Sequence, residues 1–336
     1  MSQTLLADIG GSKSRFALAN AAGRPERILV IENDTVADLE AAVGRYLDET
    51  GARPRAATLA VAGPIDGEEV ALTNRTWRFR RREFAERFGF SDLCVINDFE
   101  AIAYALPCLG AAETRPLGKP AVRHDGVKLV LGPGTGLGVA ALIPAGDRWH
   151  VVASEGGHAA FGPQAADEVA VFEQLRNECG SVSAECVLSG PGLRRLARVL
   201  HPPPSLPSPA CGGGLGWGEP ETIVASALAR EPSAQAATRL FVRLLGRFAG
   251  SLALTFKALG GVYITGGVAA GLGPLLDEPQ FRAAFEAHPP YETLLAAIPT
   301  LLVTCEEPGL IGCAALASEA SGQRGHVISA RAGHSP

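Results

Sequence analysis

Residues 129–142, LVLGPGTGLGVAAL, set a glycine-rich turn between two apolar, β-prone runs. The run after the turn is not an amphipathic helix, so the predicted unit is strand–turn–strand. That counts against a dinucleotide fold and against a Walker-type loop, both of which lead from the turn into a helix. Glycines let backbone N–H groups approach an anion with no Cβ in the way, and Thr135 adds a hydroxyl donor. By itself the stretch is equally an ordinary glycine-rich hairpin.

A second stretch repeats the design. TLLADI at 4–9 is a short apolar run that carries Asp8, Gly10-Gly11-Ser12 comes next, and an apolar pattern resumes at 15–20. An acid inside an apolar strand is costly unless it is paired or holds a cation. Asp8 therefore reads either as an aspartate bonded to turn amides or, with so much glycine beside it, as a carboxylate linked to magnesium at a phosphate-binding turn. A third glycine pair, Gly266-Gly267, closes the run GVYIT and offers bare backbone on which a nucleotide ring could lie.

The remaining chain alternates strand and helix signals. Apolar residues at Val36, Leu39, Val43 and Tyr46 have helical spacing. Strands are predicted over 55–63, 70–73, 92–96, 149–153, 261–265 and 300–304, and helices over 84–88, 167–177, 221–229, 234–258, 281–287 and 308–320. The arginine-dense stretch 75–82, with acids at Glu83 and Glu86, reads as a solvated face. Asp98 falls where strand 92–96 stops and a helix begins. It reads as an N-cap or as a general base at a strand's carboxyl end, where α/β sites open. Glu155, Gly156, Gly157 and His158 lie together in a turn-rich segment, a candidate ligand loop, and Glu185 sits in a short helix or turn. Residues 201–220 are rich in proline and glycine and read as an inserted, mobile surface loop, and the polar tail 321–336 as disordered.

These blocks imply two α/β domains: a small one over 1–108, with the final helix 308–320 packing back on it, and a large one over 109–304 that carries the insert. At 336 residues the chain is long enough for two buried cores. Net charge is −5, so no broad basic surface calls for nucleic acid. The seven cysteines show no Cys-x-x-Cys or Cys-x-Cys spacing, which argues against a disulfide framework or structural zinc and fits a reducing cytosol. No segment reaches the roughly 18 apolar residues of a membrane span, and the expectation is a cytoplasmic protein with no membrane partner.

The motifs in order are DIGGSKSR at 8–15, AGPIDG at 62–67, LTNRTW at 72–77 and INDF at 96–99. After them come GPGTGLG at 132–138, SEGGHAAFGP at 154–163, SAECVLSGPGL at 183–193, ITGGV at 264–268 and EPGLIGC at 307–313. Together they make the chain resemble the bacterial glucokinase family over about residues 4–320. The resemblance implies an α/β fold of two ribonuclease-H-like (actin-like ATPase) domains flanking a cleft. It implies ATP-dependent phosphorylation of glucose at its 6-hydroxyl, with ATP and Mg2+ as cofactors. Asp8, Ile9, Gly10, Gly11 and Ser12 would form the first phosphate turn, Asp8 reaching the magnesium through water. Gly134, Thr135 and Gly136 would form the second, and Gly266 and Gly267 would lie near the adenosine. Asn97, Asp98, Glu155, His158 and Glu185 would hold the sugar, Asp98 also taking the proton from the 6-hydroxyl. A homodimer is a further implication.

Lys13 and Cys186 depart from the family pattern, where asparagine and arginine are common, and the 201–220 insert has no family counterpart. Other readings are a kinase for another hexose, a sugar-binding regulator without turnover, or use of polyphosphate or ADP as the donor.

Overall fold

The computed structural model describes residues 3–73, 75–118, 125–201, 218–277 and 279–320. The elements in chain order are β1 (Thr4–Ile9), β2 (Lys13–Ala19), β3 (Pro25–Glu32), α1 (Leu39–Thr50), β4 (Ala56–Val61), β5 (Glu69–Ala71), β6 (Arg78–Arg80), α2 (Arg81–Phe88), β7 (Asp92–Asn97) and α3 (Asp98–Ala105). Then come β8 (Thr114–Pro116), β9 (Lys128–Pro133), β10 (Leu137–Ala145), β11 (Arg148–Ser154), α4 (Ala166–Cys179), α5 (Ala184–Val187), α6 (Gly190–Leu200) and α7 (Pro220–Leu228). The last are α8 (Pro232–Phe256), β12 (Gly261–Ile264), α9 (Gly267–Leu272), α10 (Pro279–Glu286), α11 (Glu292–Ala297), β13 (Thr300–Val303) and α12 (Pro308–Ala320). The chain is a mixed α/β fold with more than one sheet. Most of the insert expected over 201–220, and the tail 321–336, lie outside the described residues.

The chain divides into two compact units. Unit 1 is Met1–Gly110, Ala145–Ala153 and Cys305–Pro336, and unit 2 is Ala111–Pro144 and Ser154–Thr304. The main sheet of unit 1 has the order β3-β2-β1-β4-β7, with β1 antiparallel to β2 and parallel to β4, and β4 parallel to β7. Its central strand is apolar on both faces, as a strand covered from both sides must be. Leu5, Ala7 and Ile9 join Phe16, Val43 and Tyr46 in one core. Leu6, on the opposite face, joins Ala17, Ala101, Leu310, Cys313 and Ala314 in another. The helices α3 and α12 behind that second face meet at Gly312, where a Cβ would lie 1.6 Å from the Ala101 carbonyl oxygen.

In unit 2, β9 pairs antiparallel with β10 and parallel with β12, β12 parallel with β13, and β13 antiparallel with β8. Both glycine stretches are hairpins of the predicted strand–turn–strand kind. The helix read from Val36 begins instead at Leu39, because the Asp38 carboxylate accepts from the Ala41 amide at 2.7 Å and caps it there. Helix α8 runs for 25 residues. Its Arg247 is buried against Glu168 of α4, Nη1 to Oε2 at 2.6 Å, and also donates to the Gly162 carbonyl at 2.6 Å.

Candidate functional site

In unit 1 the first glycine turn is fastened through its carbonyls. Gly10 N donates to Lys13 O at 3.0 Å. The fully buried Asn33 donates from Nδ2 to Gly10 O at 2.8 Å and to Gly11 O at 3.2 Å, and its own amide donates to Ser12 O at 2.8 Å. Ser14 Oγ in turn donates to Asn33 Oδ1 at 2.7 Å. From the far side Arg75 Nη1 donates to Gly11 O at 3.0 Å; its guanidinium pairs with Asp34 and stacks 4.8 Å over the Trp77 ring. With the carbonyls held from behind, the turn is rigid, and rigidity is what an amide cradle for an anion requires.

Neither Asn33 nor Arg75 is visible as a functional residue in the sequence. Arg75 is not part of a solvated face, because a backbone carbonyl 64 residues away and an indole ring claim it. The neighbouring Arg78, Arg80 and Arg82 are exposed. Lys13 is half exposed and pairs with Glu32 at 2.8 Å. The Ile9 side chain is wholly buried, and its carbonyl accepts from Ala62 N at 3.0 Å.

Asp8 stands opposite Arg15 across β1 and β2. Its carboxylate lies over the first turn of α12, where a Cβ on Gly309 would come within 2.7 Å of Oδ2. Only glycine leaves the carboxylate room there, and the positive end of that helix favours the anion. Burial pushes the Asp8 carboxyl above its usual range, and Arg15 pulls it part of the way back. Arg15 also meets Glu307, Nε to Oε2 at 2.8 Å. Burial raises Glu307 too, with Arg15 opposing and Asp8 adding to the rise.

At the carboxyl end of the parallel strand β7, Asn97 caps α3. Its Oδ1 accepts from Phe99 N at 2.9 Å and its Nδ2 donates to Gly63 O at 3.1 Å. Asp98 is the first residue of that helix, and its Oδ1 accepts from Phe99 N at 3.0 Å.

Unit 2 gathers the rest at the ends of β9 and β12. Thr135 is exposed at the tip of the second glycine turn, and Gly134 N donates to Gly136 O at 2.8 Å. The Leu137 amide donates to Glu185 Oε2 at 2.8 Å. Gly157 packs so closely on Leu137 that a Cβ would lie 2.0 Å from its carbonyl oxygen. That contact brings the turn carrying the exposed Glu155 and His158 against the glycine turn. Gly266 has φ +91°, and a Cβ on it would lie 2.5 Å from Pro133 O, so only glycine fits between β12 and the end of β9. The Cβ position of Gly267 faces open space. Cys186 keeps its thiol near Ser183 and Ser181, and its carbonyl accepts from Arg195 at 3.1 Å.

Among the described residues no three His, Cys, Asp or Glu side chains cluster as a metal site. A cation here would rest on single carboxylates and ligand oxygens, as Mg2+ commonly does. The partly buried Asp8 carboxylate, in a cradle that only glycine permits, fits that use. No helix among the described residues is long and apolar enough to cross a membrane.

Glycine turns at strand ends in each unit, with carboxylates and amides beside them, mark a mixed α/β protein. Comparison with known proteins narrows this. The glucokinase family model matches residues 5–320. A glucokinase of Chelativorans sp. is 40% identical over 316 residues, covering 93% of this chain and 90% of the relative. A bifunctional protein glk of Burkholderia thailandensis is 41% identical over 328 residues, 97% of this chain but 50% of the relative, so the chain spans about half the length of that protein. The crystal structure of a glucokinase from an Antarctic psychrotroph superposes with a TM-score of 0.81 at 32% identity, covering 94% of this chain and 98% of the other. The chain belongs to the glucokinase family.

Proposed function

We propose that the chain transfers the γ-phosphoryl group of ATP to the 6-hydroxyl of glucose, with Asp98 as general base. The observation that carries this reading is the placing of Asp98 at the carboxyl end of β7, next to an Asn97 fixed by two hydrogen bonds. The family match over residues 5–320 supplies the reaction class. In this reading the Asp98 carboxylate accepts the 6-hydroxyl proton as the sugar oxygen forms its bond to the γ-phosphorus. The bond from the γ-phosphorus to the bridging oxygen breaks, and ADP leaves. Little else is asked of the protein than alignment and charge stabilisation. Asn97, Glu155, His158 and Glu185 supply acceptors and donors that match a ring of hydroxyls. Turns 8–12 and 134–136 take the phosphates through amides other than those of Gly10 and Gly134, which bond within their turns, and the backbone at Gly266 and Gly267 takes the adenosine side. Asp8 would hold Mg2+ through water, and the ion would offset charge on the phosphates.

Several finer readings accompany this one. Each unit is read as a ribonuclease-H-like domain, the protein as cytoplasmic, and its assembly as a homodimer. Asp98→Ala tests the central step. A folded variant with turnover down by at least about 10²-fold supports the assignment, and near-normal turnover removes it.

A further inference from the structure

Glu185 is a sugar ligand in the proposed reaction, yet its carboxylate is also fastened to the second glycine turn. Oε2 accepts from the Leu137 amide at 2.8 Å, at the point where the turn enters β10. That approach depends on Gly136, because a Cβ there would lie 2.6 Å from the same oxygen. The turn is tied to the 185–190 segment a second time, by Gly190 N donating to Gly134 O at 2.7 Å. Ser189 links the two ties. Its hydroxyl donates to Glu185 O at 2.8 Å and accepts from Gly192 N at 3.0 Å, capping α6. Residues 185–190 thus form a bracket that grips the turn at both ends. Only one grip, the carboxylate, belongs to a side chain that a ligand can engage.

We propose that Glu185 is a positioning residue for the phosphate-donor turn, so that sugar and nucleotide sites are coupled through one carboxylate. The inference rests on the proposed sugar-kinase function. A sugar hydroxyl donating to this carboxylate fixes its rotamer, and a fixed rotamer fixes the Leu137 amide and the turn it ends. The nucleotide then meets a turn whose ordering has already been met by the sugar, which is positive coupling. The coupling is reciprocal by linkage, so ATP tightens glucose by the same factor.

The test uses the full chain, with ATP and magnesium titrated calorimetrically in the absence and presence of glucose. Glu185→Ala is expected to raise the ATP Kd about tenfold without sugar, the order of one hydrogen bond to a charged group, and to abolish the effect of glucose on that Kd. Glu185→Gln keeps a carbonyl oxygen in reach of the Leu137 amide. It should hold the ATP Kd within about twofold of wild type, while raising the glucose KM. A role confined to the sugar would give the same ATP Kd in both variants. Glu185→Asp keeps the charge but draws it back from the Leu137 amide; it should approach Glu185→Ala in ATP Kd, and it carries the test should Glu185→Ala not fold. A wild type that phosphorylates glucose, together with Glu185→Ala and Glu185→Asp variants that bind ATP like wild type, overturns the inference alone. A wild type that does not bind ATP overturns the functional reading and the inference with it.

Discussion

Asn33→Ala is the perturbation whose cost can be worked most fully from the structure. The side chain is completely buried and makes three hydrogen bonds: from Ser14 Oγ at 2.7 Å, and to Gly10 O at 2.8 Å and Gly11 O at 3.2 Å. At about 1 kcal/mol net for each bond, the loss is about 3 kcal/mol. Ser14 is also completely buried, so its orphaned hydroxyl adds a desolvation cost of about 1 kcal/mol or more. A total of about 4 kcal/mol or more is large against the ~5–15 kcal/mol stability of a typical domain. Urea unfolding followed by tryptophan emission is a fitting assay, because Trp77 and Trp149 both belong to unit 1. Adding Ser14→Ala removes the orphan, so the double variant should be less destabilised than the sum of the two singles, by about 1 kcal/mol. ATP binding should weaken in Asn33→Ala even where the protein is fully folded, because the Gly10 carbonyl loses its side-chain donor and the Gly11 carbonyl keeps only Arg75. A loss below about 1 kcal/mol, or strict additivity with Ser14→Ala, would refute the claim that Asn33 fastens the turn.

The charges and thiols give further expected outcomes. Asp8→Asn should stabilise the fold at pH 7 while lowering activity. Burial raises the Asp8 pKa above its ordinary 3.8, so the unfolded chain loses this proton first. The penalty is absent below that value, grows as pH rises above it and is constant beyond the folded value. Equal stability of variant and wild type at pH 7 would count against this. Glu168→Ala should cost about 3–5 kcal/mol, because it leaves the buried Arg247 without its counter-charge, with only the Gly162 carbonyl to accept from it; thermal unfolding measures it. Burial pushes the Cys186 thiol up, but the Ser183 hydrogen bonds, Arg195 and Cys179 outweigh it and leave it lowered. Burial raises Cys179 and, far more, Cys313. Of Cys179, Cys186 and Cys313, iodoacetamide at neutral pH should therefore modify Cys186 first and Cys313 last, as peptide mass mapping would record.

Legibility from the sequence depends on the range of the interactions. Both glycine hairpins are local: the turn residues and the apolar runs that flank them are contiguous, and the strand–turn–strand reading needs nothing else. Asp98 is visible for the same reason, since a strand ends and a helix begins at its own position. Asn33 is not, because a single asparagine after an edge strand resembles any loop residue. Its value comes from carbonyls 22 and 23 residues away. The edge strand β3 itself is hard to read, because apolar Ile28 and Val30 fill its exposed face while Leu29 and Ile31 turn inward, so the apolar run 28–31 hides the alternation of burial. Arg75 looks like one of several surface arginines until the chain brings Gly11 beside it. The helix α6 lies behind a Ser-Gly-Pro-Gly start that reads as a turn; Ser189 caps it and Pro191 suits its first turn. The bond from Glu185 to Leu137 spans 48 residues and is invisible in any local window.

The central claim is tested most directly by a coupled assay for sugar 6-phosphate, with the purified chain, magnesium and ATP. Glucose, mannose, fructose and N-acetylglucosamine would be run side by side, with the Asp98→Ala variant in parallel. The account predicts strong turnover selective for glucose, and none in the variant. Sugar binding with no transfer to any of the four, or turnover that survives loss of Asp98, would contradict it.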